Sequence, residues 1–365
     1  MDLMTQSTSY EALKDKYKNF TAPTVLIEVD GIELTQKLGV GVAAVAVDLT
    51  AGFAASGCSF DVLGQYQPGN SRYKSDAAGR LQLGAKVELK LGYIKTVSVF
   101  YGLIAAVEYV FDTEDAPYIH VECMDAKCLM MKTQRLDITL EQKVSQSITD
   151  ILTAQPVSTY LKGRAVENLT RQEEMLPTAM ETDYQFAVRQ ARYFGCEFFI
   201  IQGKAHFRKA PQSSSSVLSL APRKGLRSAR FSLRGEGLVN KVKVVGINPA
   251  NDEAVKGDAA ASGSFSSGST ASRMLGNSTK TYFEHDIETA GDASARAKAL
   301  MGQIQSGFGR LTGTAVGLPE LCPGRSLRVS GLMPEADLTA YLLEVRHTFD
   351  SRGFETAFEA RIDKL

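Results

Sequence analysis

Four histidines, His120, His206, His285 and His347, are the first residues in this chain that could do chemistry. A histidine acting as a general base needs a nucleophile within reach and a third group to orient it. None of the four stands beside a carboxylate or serine in a nucleophile pattern. The chain has no HExxH and no Walker sequence. Cys123 and Cys128 form a C-x4-C pair with no second pair at zinc spacing. The stretch Gly39-Val-Gly41-Val-Ala-Ala44 fits G-x-G-x-x-A, but a dinucleotide site would need a helix there. Instead Val45, Val47 and Leu49 alternate with Ala and Asp, which is a strand. Asn-x-Thr sequons at Asn19, Asn168 and Asn277 have no signal peptide to give them meaning. The expectation is no catalytic residue, no metal and no cofactor.

Composition excludes more than it assigns. Lys plus Arg and Asp plus Glu number 41 each, so overall charge points to neither nucleic acid nor membrane. Five cysteines without framework spacing read as reduced thiols. The longest apolar run, Val40 to Ala55, is too short to span a bilayer and carries Asp48, so no membrane anchor is expected.

The elements that hold these residues are mostly strands. The closing stretch is an antiparallel meander. Its last strand sets Phe354, Thr356, Phe358, Ala360 and Ile362 on one face. Its middle strand sets Tyr341, Leu343, Val345, His347 and Phe349 against Glu344, Arg346 and Thr348. His347 is expected to face solvent or the neighbouring strand. Residues Gly84 to Asp125 repeat the pattern: Val107, Phe111 and Asp112 match Val345, Phe349 and Asp350 at an offset of 238. The last strand of the earlier copy slips by one residue, as a bulge or a loop of different length would cause. Two related β-domains account for this; two unrelated meanders are the alternative.

Between the copies the texture turns helical. Thr182 with Gln185 forms a capping box, and Gly195 closes the helix that follows. A later helix, Asp292 to Gln305, should turn Ala295, Ala299 and Ile304 inward. The expected organisation is a helical arm (1–20), a first β-domain (21–128), an α+β insert (129–211) and a second β-domain (212–365) with a flexible loop over 249–281.

Charge is unevenly placed. Lys204 to Lys243 carries ten Lys and Arg and one acid, whereas Tyr101 to Ala126 carries six acids and no Lys or Arg. The plain reading is two solvated faces. The sharper one is complementary surfaces meeting head to tail between subunits, with Arg227, Arg230 and Arg234 against Glu108 and Asp112. Phe207 and Phe231 lie in the basic stretch without repeated aromatic interleaving, so no specific nucleic-acid partner is expected.

Four segments carry a resemblance. They are VFYGLIAAVEYVF with IHVECMDAKCLMM, ETDYQFAVRQARYFGCEFFIIQGKAHF, NKVKVVGINPANDEAVKG, and LPELCPGRSLRVSGL with YLLEVRHTFD and GFETAFEARI. In order and spacing the chain resembles the hub proteins of contractile tails: late control protein D, the T-even phage baseplate hub, and the N-terminal half of VgrG. The resemblance implies a mainly β fold, with two tube-like antiparallel β-barrel domains flanking the α+β region. It implies a homotrimer that joins a six-fold inner tube, or a tube-initiator protein, to a three-fold central spike and lines the channel. Baseplate wedge proteins would surround it. It also implies assembly in the bacterial cytoplasm into a phage, tailocin or injection particle. VgrG proteins continue into an OB-fold and a spike where this sequence reaches Leu365, so the expectation is a hub whose spike is a separate polypeptide. Gly102, Phe111, Asp112, Tyr184, Phe186, Gly195, Pro323, Gly324, His347 and Phe349 mark the fold, with Gly102, Tyr184, Phe186, Gly195, Pro323, Gly324 and Phe349 read as ordinary turn and core residues. The competing readings are a tail-tip protein of a non-contractile phage and a β-rich hydrolase.

Overall fold

The structure is a computed structural model, described over residues 2–70, 72–112, 116–132, 134, 138–169, 172–177, 181–210, 216–262, 270–332 and 337–362. The arm forms helix α1 (Tyr10–Lys16), capped by the Ser9 side chain accepting from the Ala12 N–H. Its stripe buries Leu13 and Tyr17.

The first unit has six long strands, besides two-residue ones: β1 (Thr24–Val29), β2 (Gly41–Thr50), β3 (Gly57–Leu63), β4 (Lys86–Gly92), β5 (Thr96–Val110) and β6 (Tyr118–Met124). Strands β3, β4 and β6 alternate buried with less buried residues, as a sheet with one wet face requires. In space they run β1-β4-β5-β6-β3-β2, every neighbour antiparallel. No ladder joins β1 to β2 among the described residues, so this unit stays open.

The insert builds its own core from helix α2 (Val144–Thr153), strand β7 (Gly163–Val166), helix α3 (Asp183–Phe194) and the hairpin β8 (Cys196–Ile201) with β9 (Lys204–Lys209). Both bonds of the Thr182–Gln185 capping box are present, and Gly195 ends α3 in the left-handed region at φ 66°.

The second unit opens with β10 (Ser216–Pro222) and β11 (Gly225–Leu233). A small layer follows: β12 (Lys241–Asn248), β13 (Glu253–Ala260), β14 (Thr279–Phe283) and helix α4 (Ala290–Gln305). This corrects the loop expected over 249–281. Asn248 and Glu253 pair across a tight turn, and β13 returns along the whole of β12. The centre of that expected loop, residues 263–269, lies outside the described residues. Helix α4 buries Ala293, Ala297, Leu300 and Met301, while Ala295 is exposed. Ile304 packs half-buried against the same core, so the inward face departs from the expected one at Ala295.

The unit ends with β15 (Gly309–Val316), β16 (Ser326–Val329), β17 (Leu338–Asp350) and β18 (Gly353–Ile362). Its order is β10-β16-β17-β18-β15-β11, and β11 pairs back onto β10, closing a six-stranded barrel.

The arm ties the two units together. The Tyr17 hydroxyl donates to Glu320 Oε1 at 2.6 Å, and its ring meets Tyr93 of the first unit at 5.1 Å. Burial beside the Glu320 carboxylate holds the Tyr17 phenol far above its ordinary range. Arg325 donates to the carbonyls of Leu3 at 2.8 Å and Gln6 at 3.0 Å, so the buried segment before β16 grips the chain start.

Candidate functional site

Strand for strand, the two units share one path. Numbering each unit's strands from 1 to 6 along the chain, both read 1-4-5-6-3-2 in space. The match reaches single residues. Strand β5 has a bulge between Ile104 and Ala106, and β17 has one between Leu342 and Glu344, at the same offset of 238. In the last strand the offset is 237: Val107 pairs with Val121 where Val345 pairs with Phe358. The one-residue slip is therefore a longer β5–β6 connection, since the bulges coincide. The two units differ at the first position: β1 is antiparallel to β4, whereas β10 is parallel to β16.

Inside the chain the units join through one ladder. Strand β2 pairs antiparallel with the far half of β17, from Glu344↔Thr50 to Phe349↔Val45. Val45, Val47, Leu49, Val345 and His347 are buried on its inner side. The outer side carries Glu344, Arg346 and Thr348, and Arg346 lies 3.6 Å from Asp48. A groove of about 470 Å³ crosses this outer side between Asp48, Ala54, Thr312, Arg346 and Glu359.

The ladder continues both ways as an eight-stranded ribbon, β5-β6-β3-β2-β17-β18-β15-β11. Both of its ends are open. Strand β4 covers β5 only as far as Leu103. Strand β10 covers β11 only at Gly225 and Leu226. Ala106–Phe111 and Ala229–Arg234 thus have no ladder partner on that side among the described residues. Tyr109, Phe111 and Leu233 are 49%, 60% and 43% exposed there, although all three lie on the core-facing side of their strands. Tyr66 and Tyr73 pack against Phe111 and Tyr109 from beneath, at 5.4 and 5.0 Å.

The proposed interface residues fall along these two ends. Glu108 is exposed on β5 and Asp112 lies just past it; Arg230 and Arg234 are exposed along β11. Arg227 sits at the β11 bulge and is already paired with Glu355 at 2.7 Å. Of the fold-marking residues, Phe111 and Asp112 lie at this open β5 end, Phe111 exposed and outside the core, and the others lie elsewhere. A side chain on Gly102 would meet the Met124 carbonyl at 2.2 Å, and one on Gly324 would meet Phe199 at 2.7 Å. Pro323 is buried beside it. Phe186 is buried in the insert core, where the Tyr184 hydroxyl donates to the Phe53 carbonyl at 2.9 Å. Phe349 packs against the main core. His347 takes the neighbouring-strand alternative. It is fully buried with Nδ1 2.9 Å from Thr356 Oγ1, and burial lowers its pKa to about 3.

His206 is also buried and lowered to about 4, stacked on Phe199 at 5.0 Å. All five cysteines are free and buried, and burial raises Cys128 to about 11 and Cys196 to about 12. Among the described residues no three His, Cys, Asp or Glu side chains group as a metal site would require, and no helix is long and apolar enough to cross a membrane. The sequence missed the open ends. The signal was present in the alternation of Val107, Tyr109 and Phe111, but only the pairing shows that nothing covers them.

Residues 21–351 match the family model described as the Alg8 N-terminal domain. The chain belongs to that family. No curated protein matches it. Among solved structures, this Alg8 N-terminal domain member is similar to the 43 kDa tail protein of prophage MuSo2 from Shewanella oneidensis, with 13% identity over 94% of this chain and 99% of that one and a TM-score of 0.68. It is similar to the tail protein of Neisseria meningitidis, with 15% identity over 94% and 97% and a TM-score of 0.68. A type VI secretion component of E. coli, described as similar to bacteriophage T4 tail proteins, shares 12% identity over 92% and 76% with a TM-score of 0.54. At such identities the likeness is one of fold, and the fold is that of tail proteins: mainly β, with a closed six-stranded barrel.

Proposed function

We propose that this protein is the central hub of a contractile tail or injection particle. It works as a homotrimer whose six β-units present an approximately six-fold ring to the inner tube or tube initiator and a three-fold face to the central spike. The ring lines the channel, wedge proteins surround it, and assembly takes place in the bacterial cytoplasm before incorporation into the particle. Its role is mechanical and not enzymatic.

One observation carries this reading: two units of identical strand order, with coincident bulges, lie in one chain and share one ladder. A chain that repeats its own fold lets three copies act as six, which is what joining a six-fold tube to a three-fold spike demands. The structural likeness to phage tail proteins and a type VI component supports the setting. Light scattering after size exclusion should give three times the mass of the chain, alone or with the spike. Imaging of the particle should place three copies on its axis. A strictly monomeric protein in both conditions, or an off-axis position, would refute the proposal.

A further inference from the structure

The two open ends of the ribbon are equivalent, by the internal repeat, to the two strands already joined inside the chain. Ala106–Phe111 of β5 corresponds to Glu344–Phe349 of β17, at the offset of 238. The partner strand transfers in the same way. Ser59 pairs with Glu122 as Thr312 pairs with Glu359, and these neighbour Ala46 and Arg230 respectively. Val45–Thr50 of β2 therefore corresponds to Ala229–Arg234 of β11.

We propose that the β11 edge of one copy of this chain adds to the β5 edge of the next in one antiparallel register, running from Ala106 opposite Arg234 to Phe111 opposite Ala229. This rests on the trimeric-ring reading and specifies its contact. Three independent features of the molecule fit the register. First, the apolar side closes: Val107 meets Leu233, Tyr109 meets Phe231 and Phe111 meets Ala229, which covers the exposed Tyr109, Phe111 and Leu233. Inside the chain the same positions are Val345 with Leu49, His347 with Val47 and Phe349 with Val45.

Second, the main chain is aimed correctly. The Ala51 N–H donates to the Leu343 carbonyl at 2.8 Å, so in the in-chain ladder the odd-numbered residues of both strands face each other. The Arg234 N–H donates to Phe308 at 2.8 Å, toward β15. Alternation then turns the N–H and C=O of Ala229, Phe231 and Leu233 to the open side, where the register needs them.

Third, charge is complementary. Glu108 comes opposite Ser232 with Arg230 and Arg234 on its diagonals, and continuing by one residue sets Asp112 opposite Ser228, next to Arg227. An open edge with apolar side chains is otherwise an invitation to indiscriminate pairing. Here the acidic edge and the basic edge each repel their own kind, so only the head-to-tail contact is favoured.

Disulfide trapping tests the register. Glu108 and Ser232 form a pair without mutual main-chain hydrogen bonds, with Cα atoms about 4.5 Å apart in such a ladder. Within one chain the two edges are seven inter-strand steps apart, on the order of 30 Å, beyond any disulfide. The double variant Glu108→Cys, Ser232→Cys, oxidised at assembly concentration, should give covalent trimers on a non-reducing gel. The offset pair Glu108→Cys, Arg230→Cys should give several-fold less. As a second measure, Arg230→Glu with Arg234→Glu should raise the concentration for half-assembly at least tenfold, and Glu108→Lys added to it should recover much of the loss. Trimers in solution without the in-register crosslink, or with equal offset crosslinking, would overturn the register and leave the ring intact. Absence of trimers for the unmodified chain, with and without spike, would instead overturn the ring reading itself.

Discussion

The two β-units share strand order, bulge position and core alternation, yet one is closed by its own ladder and the other is not. The difference lies at the first strand. Strand β10 runs parallel to β16 and reaches across to β11, whereas β1 runs antiparallel to β4 and turns away from β2. An open unit must be held by other means. The first unit is held at its exit by a buried polar cluster. Asp125 accepts from the Ser56 N–H at 2.8 Å, and Lys127 donates to the Ala54 carbonyl at 2.5 Å with Asp125 4.0 Å away. Lys127 and Asp125 are essentially inaccessible. Burial pulls the Lys127 amine down and pushes the Asp125 carboxyl up, so each group tempers the cost of the other. The repeat thus shows that strand order survives while the means of closure changes.

The comparison breaks most sharply at Lys127. Lys127→Met leaves Asp125 buried without its counter-charge and the Gly52 and Ala54 carbonyls without a donor. The expected loss is about 3–5 kcal/mol of unfolding free energy, read by urea denaturation. Adding Asp125→Asn should return part of it. A loss below about 1 kcal/mol would mean that the open unit is held elsewhere. The next contrast lies at matched positions facing β4 and β16. Gly102 pairs with Val87, and Ala340 with Leu327. A methyl on Gly102 would sit 2.2 Å from the Met124 carbonyl, so Gly102→Ala should cost about 3 kcal/mol. Ala340→Gly should cost only about 1 kcal/mol. Equal effects would show that the two strands are not packed differently after all.

Much of this fold was legible in the sequence, and what was not has physical reasons. The closing meander could be read because Phe354, Thr356, Phe358, Ala360 and Ile362 keep strict alternation, and all five are buried. The middle strand was read with Leu343 inward. The bulge inserts a residue there, so Leu342 takes the buried place and Leu343 is only half-buried. A bulge leaves no mark in composition. Strand β13, EAVKGDAA, was hidden because its small and polar residues carry little apolar signal, and Gly257 is there to let α4 approach: a Cβ would lie 2.2 Å from the Ser294 nitrogen. The charged segments were visible, but not that Arg230, Arg234 and Glu108 lie on unpaired edges. That depends on which strands fail to pair, a long-range property no local pattern encodes.

The smallest effect sharpens the comparison from inside the units. His347 on β17 occupies the position that Tyr109 occupies on β5. Burial lowers His347 to about 3 against an ordinary value of 6.5. Above pH 6.5 both folded and unfolded chains hold this imidazole neutral. Below it the unfolded chain takes up a proton that the folded chain refuses until about pH 3. Stability therefore falls as pH falls through that window, approaching about 1.4 kcal/mol per pH unit for one histidine. His206, lowered to about 4, adds to the slope over a narrower range. At the matched position the first unit has Tyr109, so this histidine's contribution belongs to the second unit. His347→Gln keeps a donor for Thr356 and removes the titration. Its unfolding free energy, measured at pH 7, 5.5 and 4, should fall less steeply than that of the unmodified chain by about one proton's worth. An unchanged slope would mean that His347 is protonated in place, and that the core of the closed unit is wetter than its burial indicates.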